Sequence, residues 1–410
     1  MMKVVICIVL FFLSACQTKM DQAGFYFPPE WEEQTSVWLG WSADSTIQDV
    51  QLQMAKALEG NVGLTILSRS DSLLKVALNQ FAKRGIDTAH IVKVVHYIPN
   101  LFIRDAGPRF LKNKKNEFAI ADFAWNNYGY PSSFQNYQFS NERGEQDNTL
   151  ANQNNWKVIS SHVVIEGGAI DVSSDMLICF KETAVQRNPG LSLSEIEQEY
   201  LRVYGKKKML WLNRMPFIDK VGEGPKAGNY FGYGANGHTD EFVRFANDST
   251  ILIGLIDSTE KNSDPVSKAD YEILKENYQI LLNATDVQGK PFRIITLPVP
   301  SYSLFTEEET LTAFIKNDGD GKVFFQNFKV GEKIKWLPAV SYLNFFISNK
   351  VVLVAKYWEK DLPESERLKD EKVKIILQEL FPERKIIQIN PIALNRNGGG
   401  MHCATQQQPK

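Results

Sequence analysis

Four short polar segments interrupt apolar, strand-like runs and hold the residue types that nucleophilic and acid–base chemistry requires. In FIRDAGPRF, residues 102–110, Gly107 and Pro108 turn the chain just after Asp105, which puts that carboxylate at the mouth of a strand and not inside a helix. A local Arg104–Asp105 ion pair would explain the segment equally well. In VVIEGGAIDV, residues 163–172, Glu166 closes an apolar run. If buried it must meet a cation, a proton or water. The two glycines after it permit positive φ or close approach of another group. In NGHTDEFVRFAN, residues 236–247, extended backbone would set His238 and Asp240 on one face. Such a pair can be a proton shuttle with a cation anchor, two metal ligands, or a structural pair. In GGGMHCATQQ, residues 398–407, adjacent His402 and Cys403 would face opposite ways on a strand. Cys403 then needs a histidine from elsewhere, and His238 is the candidate. A thiol in such polar, glycine-rich chain is the expected nucleophile, the alternative being an incidental cysteine in a poorly ordered tail. Cys179, inside the apolar run MLICF, is expected to be a buried free thiol.

The remaining histidines, His90, His96 and His162, lack an acidic cluster nearby in sequence and read as core or surface side chains. The aromatic run WEEQTSVWLGW could line a cleft with Trp38 or Trp41, or simply pack.

Helical periodicity appears near 50–60, 72–84, 192–205, 267–284 and 365–380. In the third, Ser194 with Glu197 three residues on reads as an N-cap, and Gly205 as the stop. Short apolar or alternating runs such as VGLTILS, EFAIADFAW, MLICF, STILIGLI and KVVLVAKYW lie between them. Strands outnumber helices, so the expectation is an α/β fold of several small sheets with one helix each, not a doubly wound sheet. No linker cuts residues 31–410, which read as one domain, and the polar stretch 131–156 reads as a long surface loop.

The ten apolar residues 4–13 follow Lys3 and precede LSAC at 13–16. They are too short to span a bilayer and suit a signal-peptide core. LSAC resembles a bacterial lipobox, which implies cleavage after residue 15, lipidation of Cys16, a tether over 16–30, and an exported protein anchored to a membrane. Over the whole 410 residues, 43% are apolar and the formal charge is -2. That composition supports a large buried core and gives no electrostatic case for a nucleic-acid partner.

Taken together, FIRDAGP, IEGGAI, GHTDEFVRF, SYLNFFISN and GGGMHCATQQ occur in the order found in the guanidine-modifying deiminases. PPEWEEQTSVWLGW, WNNYG and RNPGLSLSEIE add to the match. The sequence resembles agmatine deiminase and the bacterial-type peptidylarginine deiminase over about residues 28–409. The resemblance implies a five-bladed, pseudo-fivefold α/β propeller. It implies Cys403 as nucleophile, His238 as general acid and base, and Asp105 and Asp240 as the carboxylates that grip the guanidinium. Glu166 would be a further active-site acid and Asn344 an active-site amide, with no cofactor and no metal. Phe102 stands where the family usually has tryptophan beside the substrate, and Glu241 where an asparagine is common. Neither departure is expected to touch the catalytic set. The expected substrate is a small cationic guanidine, agmatine ahead of peptidyl or free arginine, and a homodimer is allowed for. Another class, a lipid-anchored binding protein for cationic ligands, would explain the carboxylates without using Cys403.

Overall fold

The computed structural model of the protein describes residues 24–96, 101–130, 142–220, 227–232, 234–317 and 321–410. The leader and Cys16 lie outside the described residues.

Five sheets share one construction. An outer strand runs antiparallel to a central strand, and a third strand returns parallel to the centre after a helix. Four of them run Arg109–Lys112, Phe118–Ala124, Lys157–Val164; then Asp171–Val172, Met176–Phe180, Lys208–Leu212; then Val243–Asn247, Thr250–Leu255, Arg293–Pro298; then Phe346–Ile347, Val351–Ala355, Lys385–Ile389. In the fifth, the last strand of the chain, Thr405–Pro409, is the outer strand beside Gln34–Gly40, with Gly63–Ser68 and Val92–Val95 beyond. The central strands MLICF and VVLVA are buried along their whole length. Helices cover the parallel edges, and continuous apolar runs are what strands covered on both faces require.

The five periodic stretches are helices: Ser45–Leu58, Asp71–Lys83, Leu193–Tyr204, Pro265–Leu282 and Glu364–Leu380. Three details differ from expectation. The cap of Leu193–Tyr204 is Ser192, which forms a capping box with Glu195, while Glu197 accepts the Trp211 indole N–H at 2.6 Å. Gly205 ends this helix in the left-handed region as expected. Within 131–156, residues 142–156 are described and contain the helix Gln146–Gln153, whose Leu150 and Ala151 are buried against Phe110 and Ile120. Residues 131–141 of the expected loop lie outside the described residues. A sixth sheet of Tyr230–Gly232, Lys333–Leu337 and Glu307–Thr310 was not foreseen. Its strand EEET is fully exposed and has no apolar face to betray it.

Candidate active site

One rule of construction places the site. In each of the five sheets the connection that leads into the outer strand carries one of the candidate side chains shortly before that strand, and two of these connections also supply the strands of the sixth sheet. Asp105 precedes Arg109–Lys112, Glu166 precedes Asp171–Val172, and Asp240 precedes Val243–Asn247. Asn344 precedes Phe346–Ile347, and Cys403 precedes Thr405–Pro409. All five are buried, as is His238.

Asp105 lies within a single helical turn, Ile103–Ala106, and not in extended chain. It makes no ion pair with Arg104, which turns instead to Glu30. Its Oδ1 accepts the Gly168 N–H at 3.1 Å and its Oδ2 the Tyr128 hydroxyl at 3.0 Å. His238 and Asp240 are brought together by a tight turn, Thr239–Glu241, and not by the expected extended backbone. His238 Nδ1 stands 3.7 Å from Asp105 and 4.0 Å from Asp240 Oδ1, and Nε2 stands 3.7 Å from Glu166. Among the described residues neither ring nitrogen has a hydrogen-bond partner, nor has Asp240 Oδ1. Gly168 forms the floor: a Cβ there would lie 2.6 Å from His238 Nδ1 and 3.0 Å from both aspartates. Of the two expected uses of the double glycine, close approach is the one realised at Gly168.

Glu166 meets a cation. Arg187 Nε donates to both of its oxygens, at 2.9 and 3.2 Å. Burial alone would raise the Glu166 carboxyl, but Arg187 and His238 bring it down to about 2. Asn344 holds the thiol: its Nδ2 donates to Cys403 Sγ at 3.0 Å, while its Oδ1 accepts the N–H groups of His402 and Cys403. Phe102 belongs to the same corner, since a Cβ on Gly399 would lie 2.9 Å from its ring and 3.0 Å from Cys403 Sγ.

The thiol sits among acids. Sγ lies 3.5 Å from Asp240 Oδ2 and 3.7 Å from Glu241 Oε1. Burial first, then Asp240, Glu241 and Asp105, push the Cys403 thiol well above its ordinary value. Burial also raises Asp105, with Asp240 and Glu166 adding to it against the pull of His238, to about 6. His238 goes the other way: burial would lower it, but the three carboxylates outweigh that and hold it at about 9. An imidazolium, a protonated thiol and several carboxylates thus share one buried cluster.

Two sequence expectations need correction. Trp41 is not in the site. It is buried at 4% exposure beside Ile47 and Val50 and packs edge-on against Phe81, with ring centroids 5.2 Å apart. The strand Gln34–Gly40 ends just before it, and helix Ser45–Leu58 covers it. Conversely, Glu241 and Phe102 do touch the catalytic set. Sequence reasoning also missed Asp219, whose carboxylate takes the N–H groups of Ala235, Gly237 and His238 and so fixes the loop that carries the histidine. Only its place in an otherwise apolar turn, PFID, hinted at this. Cys179 is a buried free thiol, raised by burial.

His238, Asp240 and Cys403 present donor atoms within 4.8 Å of one another. Asp240 Oδ2 is already engaged by His402, and the thiol has carboxylates rather than cations around it. The arrangement brings a thiol, an imidazole and several carboxylates together in one buried cluster.

Comparison with known proteins specifies the class. The chain belongs to the Porphyromonas-type peptidyl-arginine deiminase family, whose model matches residues 26–409. A protein of Latilactobacillus sakei subsp. sakei that carries the provisional name agmatine deiminase is 26% identical over 404 residues, 97% of this chain and 99% of its own. Among solved structures, agmatine deiminase of Enterococcus faecalis superposes with a TM-score of 0.70 at 24% identity, covering 95% of this chain and 97% of that one. A Porphyromonas gingivalis structure provisionally titled arginine deiminase gives 0.68 at 21% identity, with 94% and 98% covered. At these identities the structural matches establish the α/β fold.

Proposed function

We propose that the protein deiminates a guanidino group, with agmatine as substrate and N-carbamoylputrescine and ammonia as products. The observation that carries this is the convergence of Cys403, His238, Asp105, Asp240 and Glu166 in one buried, acid-rich cluster. A guanidinium is planar and cationic, and its paired N–H donors suit carboxylates. Asp240 Oδ1, which has no partner, and the Asp105 oxygens are its acceptors.

The steps follow from the charges. Cation binding compensates the field that keeps the thiol protonated, so Cys403 loses its proton to solvent as substrate enters. Sγ then bonds to the guanidinium carbon. His238, protonated at neutral pH, gives its proton to one nitrogen, which leaves as ammonia and a thiouronium cation remains on Cys403. The neutral His238 takes a proton from water, and the resulting hydroxide adds to the same carbon. The C–S bond breaks with the electron pair returning to sulfur, the hydroxyl proton is lost, and a ureido group is released.

Agmatine is favoured over an arginine that bears a free carboxylate because the nearby arginines are spoken for. Arg187 is fully committed to Glu166 and the carbonyls of Ala235 and Asn236. Arg109 holds the Ile165 carbonyl and faces Asp147. Around the site stand aromatic rings instead: Phe102, Tyr128 and, packed on Tyr128, Trp125 and Tyr130. The family description supports a second substrate, arginine within a peptide.

Ammonia release from agmatine, free arginine and an internal peptidyl arginine separates these. Release from agmatine at the highest kcat/KM is expected. A preference for the peptide would reverse the substrate assignment, and binding without ammonia from any of them would leave only a cation-binding protein. We also propose that the five alike sheets are blades of a pseudo-fivefold propeller, which their shared strand order supports. Export and lipidation at Cys16 remain proposals resting on LSAC and the apolar run before it.

A further inference from the structure

We propose that His402 is a positioning residue: held as a cation between Glu30 and Asp240, it keeps Asp240 ionised with Oδ1 turned to the substrate. This deepens the guanidine-binding proposal and rests on it.

The motifs that supply the pocket each send a second side chain to the opposite side of the same connections. FIRDAGP supplies Arg104 beside Asp105, and IEGGAID supplies Asp171 after Glu166. HTDEFVR supplies Arg244 after Asp240, and MHC supplies His402 before Cys403. PPEW, which the pocket does not use, supplies Glu30. These residues line one small cavity with Arg109, Gln406 and Gln407.

Within it, His402 Nδ1 lies 2.6 Å from Asp240 Oδ2 and Nε2 lies 3.1 Å from Glu30 Oε1, with the ring 4% exposed. A neutral imidazole has one N–H and one lone pair, so it would aim a lone pair at one of the two carboxylates. Two facing carboxylates require two N–H donors, which is the imidazolium. Glu30 does not relieve the conflict by taking a proton. It already accepts from Arg104 at 3.1 Å, Arg244 at 2.8 Å and the Ile347 N–H at 3.0 Å.

The ring has little freedom to move away. The His402 N–H goes to Asn344 Oδ1 at 2.9 Å, and its carbonyl accepts from Arg104 Nε at 3.2 Å. Asp240 in turn faces His238, Asp105, Glu241 and the Cys403 thiol on the pocket side, with Arg244 behind it. Three of those five neighbours disfavour its charge or are themselves acids, yet its carboxyl lies below the ordinary value. Burial opposes that shift, and the contact to His402 is the foremost influence producing it. Because the cation sits on Oδ2, Oδ1 has no partner among the described residues and faces the substrate side for a guanidinium N–H.

The test combines a substrate-independent measurement with variants. In protein labelled with 15N-histidine, both ring nitrogens of His402, assigned by loss of its signals in His402→Gln, should be protonated in the resting enzyme at pH 7. A single protonated ring nitrogen would overturn the proposal whether or not any guanidine binds.

In a Cys403→Ala background, agmatine affinity by calorimetry should fall about 10- to 100-fold in His402→Gln at pH 6. The loss should shrink as pH rises, because Asp240 then ionises unaided. Glu30→Gln should shift the acid limb of binding in the same direction by less, and it serves if His402→Gln does not fold. A loss equal at every pH, or unchanged affinity in both variants, would contradict the positioning role. If the Cys403→Ala protein with His402 intact binds no guanidine at all, the functional assignment fails while the NMR result still decides the state of His402.

Discussion

Two charge clusters sit back to back across the connections that enter the five outer strands, and they are built on opposite terms. On the inner side, Glu30, Arg104, Arg244, Asp171 and His402 each meet opposite charge at 2.7 to 3.1 Å. On the pocket side, the His238 ring nitrogens, Asp240 Oδ1 and Glu241 Oε2 have no hydrogen-bond partner among the described residues although they are buried. On the inner side Arg109 Nε and the Gln406 amide also lack a partner among the described residues, so the contrast lies in the charged groups named here. The same chain segments supply both layers. One layer spends its charges on itself and holds the ring of connections together; the other keeps its charges available for a ligand.

The contrast can be broken from the inner side first. Arg244→Met should be the most destabilising change, because it strands Asp171 and Glu30 as buried acids. Breaking a buried pair by removing one partner costs about 3–5 kcal/mol. Urea unfolding should show that loss, and a stability within 1 kcal/mol of wild type would mean that the inner cluster is not a closed network. From the pocket side, Asp240→Asn should fold but lose function. Leaving part of a desolvated cation unpaired costs roughly 2–5 kcal/mol, or about 30- to several-thousand-fold in kcat/KM. Equal loss of affinity for agmatine and for its neutral urea analogue would show that charge is not what Asp240 recognises.

Asp105 sharpens the comparison through pH. Its folded carboxyl titrates at about 6 against an ordinary 3.8, with burial the main cause. A raised acid contributes stability while protonated and loses it as pH climbs between those two values. His238, held at about 9, stays charged across the window. Asp105→Asn cannot ionise, so its stability relative to wild type should rise by on the order of 2–3 kcal/mol between pH 4 and pH 8. A difference that is flat with pH would mean Asp105 already has its cation in the empty enzyme. The smallest effect belongs to Glu241. Burial, with Asp240 and Asp219, holds its carboxyl well above the ordinary range. Glu241→Gln is the neutral side chain of the same size and should change kcat/KM by less than about 1 kcal/mol of transition-state stabilisation. A large gain in thiol alkylation rate would instead reveal an ionised Glu241 beside Cys403.

The legible part of this molecule was local. MLICF and VVLVA read as buried strands because nothing polar interrupts them, and Leu193–Tyr204 announced its stop at Gly205. The pocket's acids, histidine and thiol were legible by residue type, each at the end of an apolar run. What the sequence concealed was pairing across distance. Arg187 under Glu166, Glu30 beside His402 and Asp219 behind His238 are separated by 21, 372 and 19 positions. No local pattern predicts such contacts. Trp41 shows the converse failure. Composition draws aromatic residues to clefts and to cores alike, and only helix Ser45–Leu58 lying over the ring decides which.

The central claim is that Cys403 is the nucleophile of a guanidine-binding pocket, and covalent capture tests it most directly. Wild-type enzyme should be mixed with agmatine, quenched in acid within a turnover, digested and analysed by mass spectrometry. The peptide containing Cys403 should carry agmatine less ammonia, and the adduct should be absent from the Cys179 peptide and from Cys403→Ala protein, which should release no ammonia. Turnover that persists in Cys403→Ala, or an adduct found on Cys179 alone, would contradict the account.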